Sequence, residues 1–490
     1  MEGKTIARRF RYTCIRLVNI ALLAAGLAMT GSLAGCATTT AGEEPKPATQ
    51  RQYVQGTSHL LKSHTVGVVM RPFSSLFRLA FVSLNTVTTT LKPAYASRIE
   101  KRPVPPVSEG PGMDLVAWEA YLDDTTGPAT RGTIDLLIDG ETFFSRFEEA
   151  VSAAEESISL RMYIFDNDDF AVSIAELLKR RSNDGIETKV LLDGIGTIVS
   201  TIEQQENLPD DHIPPKSVRK FLERGSQIDV RQSQNPWLTG DHVKTAIIDN
   251  KVAFTGGMNI AREYRYDWHD LMIEMHGPVV DVLQHEFSKA WARAGFFGDF
   301  AYARAASRRK PTLADDTGYP LRTLYTRTEN AEIYRVQRKA IRRSQHYVYV
   351  QNPYFTDDVM LYELARARKR GVDVRVIIPL ETDRGLITRN NVLAANALLR
   401  NGVRVFIYPG MSHVKAALFD DWACMGSANW DRWSFYLNKE LNIATSEPSV
   451  VKSLRETLFE KDFTTAVELT EEIPERWTDY LYEMFGDYFF

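Results

Sequence analysis

The chain has 490 residues, 44% of them hydrophobic and 25% charged, a balance that belongs to folded proteins and excludes a disordered or low-complexity chain. That length exceeds what one hydrophobic core supports, so more than one folded unit is expected. A formal net charge of -4, from 59 Lys and Arg against 63 Asp and Glu, gives no basic surplus for a nucleic-acid partner, and none is expected.

In chain order, Lys4, Arg8, Arg9, Arg11 and Arg16 make a basic stretch, an apolar run follows from Leu17 to Met29, and then Leu33-Ala34-Gly35-Cys36. Small residues before a cysteine, directly after such a run, resemble a lipoprotein signal: residues 1–35 would be removed and Cys36 lipidated. A plain secretory signal or an uncleaved anchor is the alternative. Cys14 leaves with the signal, and Cys424 then stands alone in an apolar run as a small buried hydrophobe, with no disulfide framework and no zinc cluster.

Residues 36–115 read as a tether and an apolar segment. From Ala37 to Gln52 the composition is that of a flexible linker. Phe73, Leu76, Phe77, Ala80, Phe81 and Leu84 then fall at helical spacing beside Arg71 and Arg78. Such a helix either lies on a bilayer or packs on the catalytic body, and packing is the preferred reading. Pro and Gly between Lys101 and Gly112 mark the edge of the folded part.

The remainder is a long internal repeat, with copies at 116–300 and 318–490 and a basic linker at 301–317 containing Arg304, Arg308, Arg309 and Lys310. Each copy runs strand (158–165; 346–351), helix (174–178; 361–369), strand (188–193; 374–378), helix end (221–225; 398–402) and short strand (228–230; 403–407). Alternating strands and helices, with strands apolar throughout, predict an α/β fold with a sheet between helix layers.

Each copy then presents the same constellation. The first is His242-Val243-Lys244 followed by Asp249, Gly256 and Asn259; the second is His413-Val414-Lys415 followed by Asp420, Gly426 and Asn429. Spacing by two puts His and Lys on one face of a strand, and Asp249-Asn250 and Asp420-Asp421 are turn residues, so each motif predicts a β-hairpin returning the Asn beside them. Eleven residues beyond each Asn stands an acid, Asp270 and Glu440, expected to accept the other imidazole N–H of its own copy. Phosphodiester transfer needs a nucleophile, an acid for the leaving alkoxide and cations or amides on the non-bridging oxygens. One half-site offers one imidazole, so only the pair completes the set.

These paired motifs resemble the phospholipase D superfamily, and the flanks Leu191–Thr197, Asp249–Ile260, Trp268–Asp270 and Asn352–Asp357 are similar to those of bacterial cardiolipin synthases. The resemblance implies two tandem α/β/α sandwich repeats related by a pseudo-twofold, with the active site between them. By it, His242 is the nucleophile that forms a phosphohistidine, and His413 is the acid for the leaving alcohol. Lys244, Lys415, Asn259 and Asn429 hold the phosphate, and Asp270 and Glu440 orient the imidazoles. Asp249 and Asp420 complete the motif, more as turn residues than as substrate contacts.

The resemblance implies no metal and no other cofactor. It implies a phospholipid substrate with water or an alcohol as acceptor; a nuclease or other non-lipid phosphodiesterase is the alternative. With a lipid on Cys36, and Ala37 rather than Asp after it, the protein is expected in a bacterial envelope, on the periplasmic side of the outer membrane. Oligomeric state is not legible. The second hairpin is one residue shorter than the first, which either moves Asn429 or tightens the turn. His269 reads as a packing residue rather than a third catalytic base. Trp430, Trp433 and Tyr436 read equally as a lipid-facing mouth or as core.

Overall fold

Apolar β-branched runs bounded by Gly and Asp make the strands, and the longer amphipathic stretches between them make the covering helices. The computed structural model describes residues 50–90, 99–197, 208–209, 211–308, 317–382, 385–476 and 479. Residues 1–35, Cys36, the tether as far as residue 49, and Arg309 and Lys310 of the linker lie outside the described residues.

The first copy contributes β1 (Thr130–Ile138), β2 (Ser157–Met162), β3 (Glu187–Asp193), β4 (Asp229–Ser233), β5 (Thr245–Ile248), β6 (Val252–Gly256) and β7 (Leu271–His276). The second contributes β8 (Tyr319–Arg327) with the short β9 (Asn330–Ala331) beside it, and β10 (Tyr347–Gln351), β11 (Asp373–Pro379) and β12 (Arg404–Tyr408). It continues with β13 (Ala416–Phe419), β14 (Trp422–Gly426) and β15 (Glu440–Thr445), and ends with the two-residue β16 (Val467–Glu468), which adds antiparallel to the outer edge of β12. Read inward, the order is β4-β3-β2-β5-β6-β7-β1 on one side and β12-β11-β10-β13-β14-β15-β8 on the other, the same order twice. The two halves meet where β1 pairs antiparallel with β8, Thr130 opposite Leu321. This is the expected pair of α/β repeats on a pseudo-twofold.

Alternation along each motif sets its facing. Val243 and Ile247 point into a core that also holds Val414, Ala416 and Leu418 of the other copy, so the two repeats share this core. Ala246 and Ile248 point to the first copy's own core, and Ala417 and Phe419 to the second's. His242, Lys244, His413 and Lys415, at the opposite parity from the two valines, are thereby directed away from the shared core.

The boundary at residue 116 is displaced. Helix α1 (Gln50–Met70) and helix α2 (Pro72–Thr90) precede helix α3 (Leu115–Thr126), and α3 belongs to the second copy: Trp118 and Leu122 sit in its core, with Trp118 edge-on to Trp422 at 5.3 Å. Arg322 of β8 pairs with Glu119 at 2.9 Å and Asp123 at 2.8 Å. The apolar face of α3 is matched by the second repeat, which proximity in sequence could not reveal.

Asp249 and Asp420 belong to the motif by position, but their carboxylates hold the hairpins and the neighbouring strands rather than joining the paired His and Lys. Each ends its strand roughly 16 Å along the chain from the motif Lys. The Asp249 carboxylate accepts the backbone N–H groups of Glu155, Glu156 and Ser157 at 2.7–2.8 Å. Asp420 accepts those of Gln345, His346 and Tyr347 at 2.7–2.9 Å, and that of Met113 at 2.6 Å. Each staples the start of the neighbouring central strand to the motif hairpin. Both hold a left-handed φ, 53° and 50°, as the tight turns require.

The shorter second hairpin loses its residue in the turn alone. Ile248 pairs with Val252 across three residues, whereas Phe419 pairs with Trp422 across two. At the other end the registers match, Thr245 opposite Thr255 and Ala416 opposite Met425. The turn tightens and the active end is not shifted.

Replacing Asp420 by Ala strands four backbone donors, Asp420 itself being 1% exposed, and should lower unfolding stability by about 3 kcal/mol in urea denaturation. Asp249→Ala strands three donors at a more exposed position and should cost less.

Candidate active site

His and Lys of each motif lie in extended backbone just before β5 and β13 rather than within the ladders. Their placement comes from the other copy. Asp241 bridges in parallel to Lys439, with His242 N donating to Lys439 O at 3.0 Å and Lys439 N to Gly240 O at 3.0 Å. The mirror bridge joins His269 to Ser412, with His413 N donating to His269 O at 2.7 Å. Each motif His is thus backbone-paired beside the acid of the opposite repeat.

The acids consequently serve the opposite imidazoles, which corrects the expectation that each serves its own copy. His242 Nδ1 lies 3.0 Å from both Glu440 oxygens, and His413 Nδ1 lies 2.7 Å from Asp270 Oδ2. An ionised carboxylate only accepts, so the Nδ1 facing it is the protonated nitrogen of each ring. All four residues are buried.

The lysines are buried in the same volume. Lys244 Nζ donates to His242 O at 2.8 Å, and Lys415 Nζ lies 2.8 Å from His413 Nδ1. Burial pushes the Lys244 ammonium down to about 7 and the Asp270 and Glu440 carboxyls up to about 7. Opposite charges nearby resist all three shifts. The centre therefore sits close to changing its proton count near neutrality, and an added anion tips it towards the protonated side.

The asparagines differ. Asn259 Oδ1 accepts Ile164 N at 3.0 Å and its amide donates to the Tyr264 hydroxyl at 2.7 Å, leaving its second N–H for a ligand. Asn429 is 4% exposed and its side-chain oxygen has no protein partner. The residues after Gly256 and Gly426 differ with purpose. A Cβ on Gly257 would meet an Asp270 oxygen at 2.1 Å, so only glycine fits. Ser427 occupies the matching place and donates to Glu440 Oε2 at 2.6 Å.

Several contributors have no distinctive sequence signal. Tyr163 stands edge-on to His242 at 4.7 Å with Lys244 Nζ 5.1 Å above its ring. Tyr264, Trp268 and Tyr354 surround His413 at 5.3–6.2 Å. Behind Glu440, Asp241 takes Arg161 Nε and Lys439 Nζ, each at 2.9 Å; burial opposes its ionisation, but these two cations hold it well below the usual range. Only their adjacency to the motif, Asp241 before His242 and Lys439 before Glu440, could have pointed to them. His269 bridges Asp139 at 2.6 Å and Asp462 at 2.8 Å; burial alone would lower it, yet these two bonds push it up to about 9. It ties the repeats together as a cation. Trp430 is buried against Phe355 at 4.9 Å, so it is core.

Among the described residues one acidic group, Asp166, Asp168 and Glu263, has ligand atoms close enough for an ion. Asp168 accepts Ala171 N and Arg262 N at 2.6 Å, and Asp166 accepts Asn167 N at 2.6 Å, which are the bonds of caps and turns.

The crossed pairs can be tested by imidazole NMR. Glu440→Gln should move the His242 ring resonances and leave those of His413, and Asp270→Asn should do the reverse; pairing within each copy predicts the opposite. A second expectation concerns pH. Sulfate keeps its charge between pH 6 and 8.5, while Lys244 loses its proton, so calorimetric affinity should fall by about tenfold or more over that range. An affinity independent of pH would remove Lys244 from the anion site.

The family model for "Cardiolipin synthase, PLD-like domain" matches residues 147–291 and 338–463, more than half of the chain. Cardiolipin synthase A of Pseudomonas putida (strain W619) is 29% identical over 364 residues, covering 69% of this chain and 70% of that protein. Cardiolipin synthase of Listeria welshimeri is 28% identical over 358 residues, with the same coverage of 69% and 70%. Among solved structures, phosphatidylserine synthase of Haemophilus influenzae Rd KW20 superposes with a TM-score of 0.58 at 14% identity, covering 76% of this chain and 96% of that one, a likeness of fold. The chain belongs to the cardiolipin synthase, phospholipase D-like domain family and is an enzyme of the phosphatidyltransferase and phospholipase D type.

Proposed function

We propose that this enzyme moves a phosphatidyl group from a phospholipid to water or to an alcohol such as the glycerol head of phosphatidylglycerol, through a phosphohistidine on His242. The observation that carries the reading is the pair of imidazoles oriented by crossed carboxylates, with two lysines beside them. His242 Nε2 attacks phosphorus and forms the P–N bond. The P–O bond to the head group breaks, and His413 Nε2–H gives its proton to the departing alkoxide. His413, now neutral, takes the proton of the acceptor hydroxyl, whose oxygen attacks phosphorus and breaks the P–N bond. Lys244, Lys415 and the amides of Asn259 and Asn429 bear on the non-bridging oxygens, where charge builds up.

The cardiolipin synthases it resembles support a lipid substrate. The basic stretch, the apolar run and Cys36 support a lipid-anchored protein of the bacterial envelope, with Ala37 favouring the outer membrane. There the acceptor is whatever alcohol or water the envelope offers, and the chemistry is remodelling of existing phospholipid.

Incubating the purified protein with labelled phosphatidylglycerol and phosphatidylethanolamine and separating the lipids tests this. New cardiolipin, phosphatidic acid or free head group is expected, and His242→Ala should lower the rate by about a thousandfold or more. No such product, with cleavage of a non-lipid phosphodiester instead, would overturn the lipid reading.

A further inference from the structure

Helices of this fold ordinarily bury their phenylalanines: Gly140–Ser152 hides Phe143, Phe144 and Phe147. The helical pair α1 and α2 does the reverse. Among the positions whose burial is described, 58–59 and 61–83, the buried ones are Ser63, Gly67, Arg71, Ser75 and Arg78, spaced by four, four, four and three, one stripe in the helical repeat that is polar or small. The pair's exposed large apolar positions are Leu61 at 63% and Val69 at 71% on α1, where His59, Lys62 and Thr65 are also exposed, and Phe73 at 61%, Leu76 at 65%, Phe77 at 69% and Phe81 on α2, where the apolar face is fullest. An element with its polar groups turned inward and its apolar groups outward is matched to apolar surroundings.

The inward stripe is fixed. Ser63 Oγ donates to Asn235 Oδ1 at 3.0 Å, the Trp237 indole donates to Ser75 O at 2.8 Å, and Trp237 N donates to His64 Nδ1 at 3.0 Å. Arg78 donates to Thr239, and Gly67 lies so close to Pro236 that a Cβ would come within 2.9 Å of its ring. The gripped segment, 235–239, runs on directly into Asp241 and His242. The outward face is therefore held rigidly on the approach to the first half-site.

A second stretch extends this face. Phe296, Phe297 and Phe300 are 65–72% exposed, Phe300 meets Phe73 edge-on at 6.4 Å, and Ser74 N donates to Asp299 at 3.3 Å. Phe297 holds a left-handed φ of 52°, strain that a bulky side chain does not adopt without constraint. Together the two stretches hold nine of the fifteen large hydrophobic side chains exposed among the described residues, and they adjoin where Phe73 meets Phe300. No single described helix is long and apolar enough to cross a membrane, and the pair that would qualify together is bent by 118° at Arg71. A bend of that size suits a wedge lying in one leaflet. The chain also enters α1 from the side of Cys36, fourteen residues before Gln50, a reach of at most about 50 Å.

We infer that the bend between α1 and α2, together with Phe296, Phe297 and Phe300, is a docking wedge for a phospholipid leaflet, holding the first half-site against the membrane. This goes beyond the catalytic reading and does not require lipid to be the substrate.

Spin labels on the full chain test it. A Cys14→Ser, Cys36→Ser background leaves the buried Cys424 and removes the lipid site. Labels then enter at Phe77→Cys, Phe297→Cys and, as a control, Ile213→Cys, which is 89% exposed. With vesicles of phosphatidylethanolamine and phosphatidylglycerol, collision with oxygen relative to a water-soluble nickel complex should rise at least threefold at 77 and 297 and stay unchanged at 213. Adding Phe297→Asp should return the label at 77 towards the aqueous value. Labels at 77 and 297 that remain as open to nickel as in solution overturn the inference. So does loss of access to both reagents without lipid, which would mean a protein partner or a second copy covers the face. An inactive chain that still inserts would sink the lipid-substrate reading and keep the wedge, and an active chain whose labels stay aqueous would do the converse.

Discussion

The constraint on which the rest depends is the crossed pairing of imidazole and carboxylate. Glu440 orients His242 and Asp270 orients His413, and each pair is set by a backbone bridge between repeats, Asp241 to Lys439 and His269 to Ser412. Neither repeat holds a finished half-site of its own. The shared apolar core explains how the crossing is maintained, because Val243 and Val414, each between its motif His and Lys, are packed in that one core. Any slip between the repeats would move both imidazoles off their acids at once.

The electrostatics follow from this enclosure. Two lysines, two imidazoles and two acids are withdrawn from water together, and burial disfavours every charged form among them. What keeps the group ionised is mutual attraction, and that balance is close for Lys244, Asp270 and Glu440. A phosphodiester adds one negative charge where the lysines are poorly solvated. In the proposed reaction, the free energy that burial withholds from the centre would be recovered on binding, and more of it as charge builds on the phosphoryl oxygens.

The two halves are alike in topology and unlike in surroundings. Ser427 donates to Glu440, whereas Gly257 makes room for Asp270. Behind Glu440 lies a cluster of Arg161, Asp241 and Lys439. Behind Asp270, Gln351 and His269 meet Asp462 at 2.8 Å each. His242 stands edge-on to Tyr163, while Tyr264, Trp268 and Tyr354 stand around His413. A symmetric scaffold with unequal linings places two chemically identical groups in different surroundings, which suits the separate attack and protonation proposed for them.

Much of this was legible in the sequence because it is local. The period of two in the motifs, the Asp turns, the strand–helix order and the doubling of the whole pattern depend on neighbours along the chain, so repeat, fold class and the identities of His242, Lys244, His413, Lys415, Asp270 and Glu440 could be read directly. The shorter second hairpin left two outcomes open, and register at the active end decided for a tighter turn. The partner of each imidazole, the attachment of α3 to the second repeat, the distant backbone groups that Asp249 and Asp420 staple, and the inside-out face of α1 and α2 were not legible. Each is a contact between segments far apart in sequence, and an offset of eleven residues looks the same whether the acid serves its own copy or the other. The sequence by itself determined which groups the enzyme owns; the packing of one repeat on the other decided which group faces which, because only that packing brings the two halves within hydrogen-bonding distance.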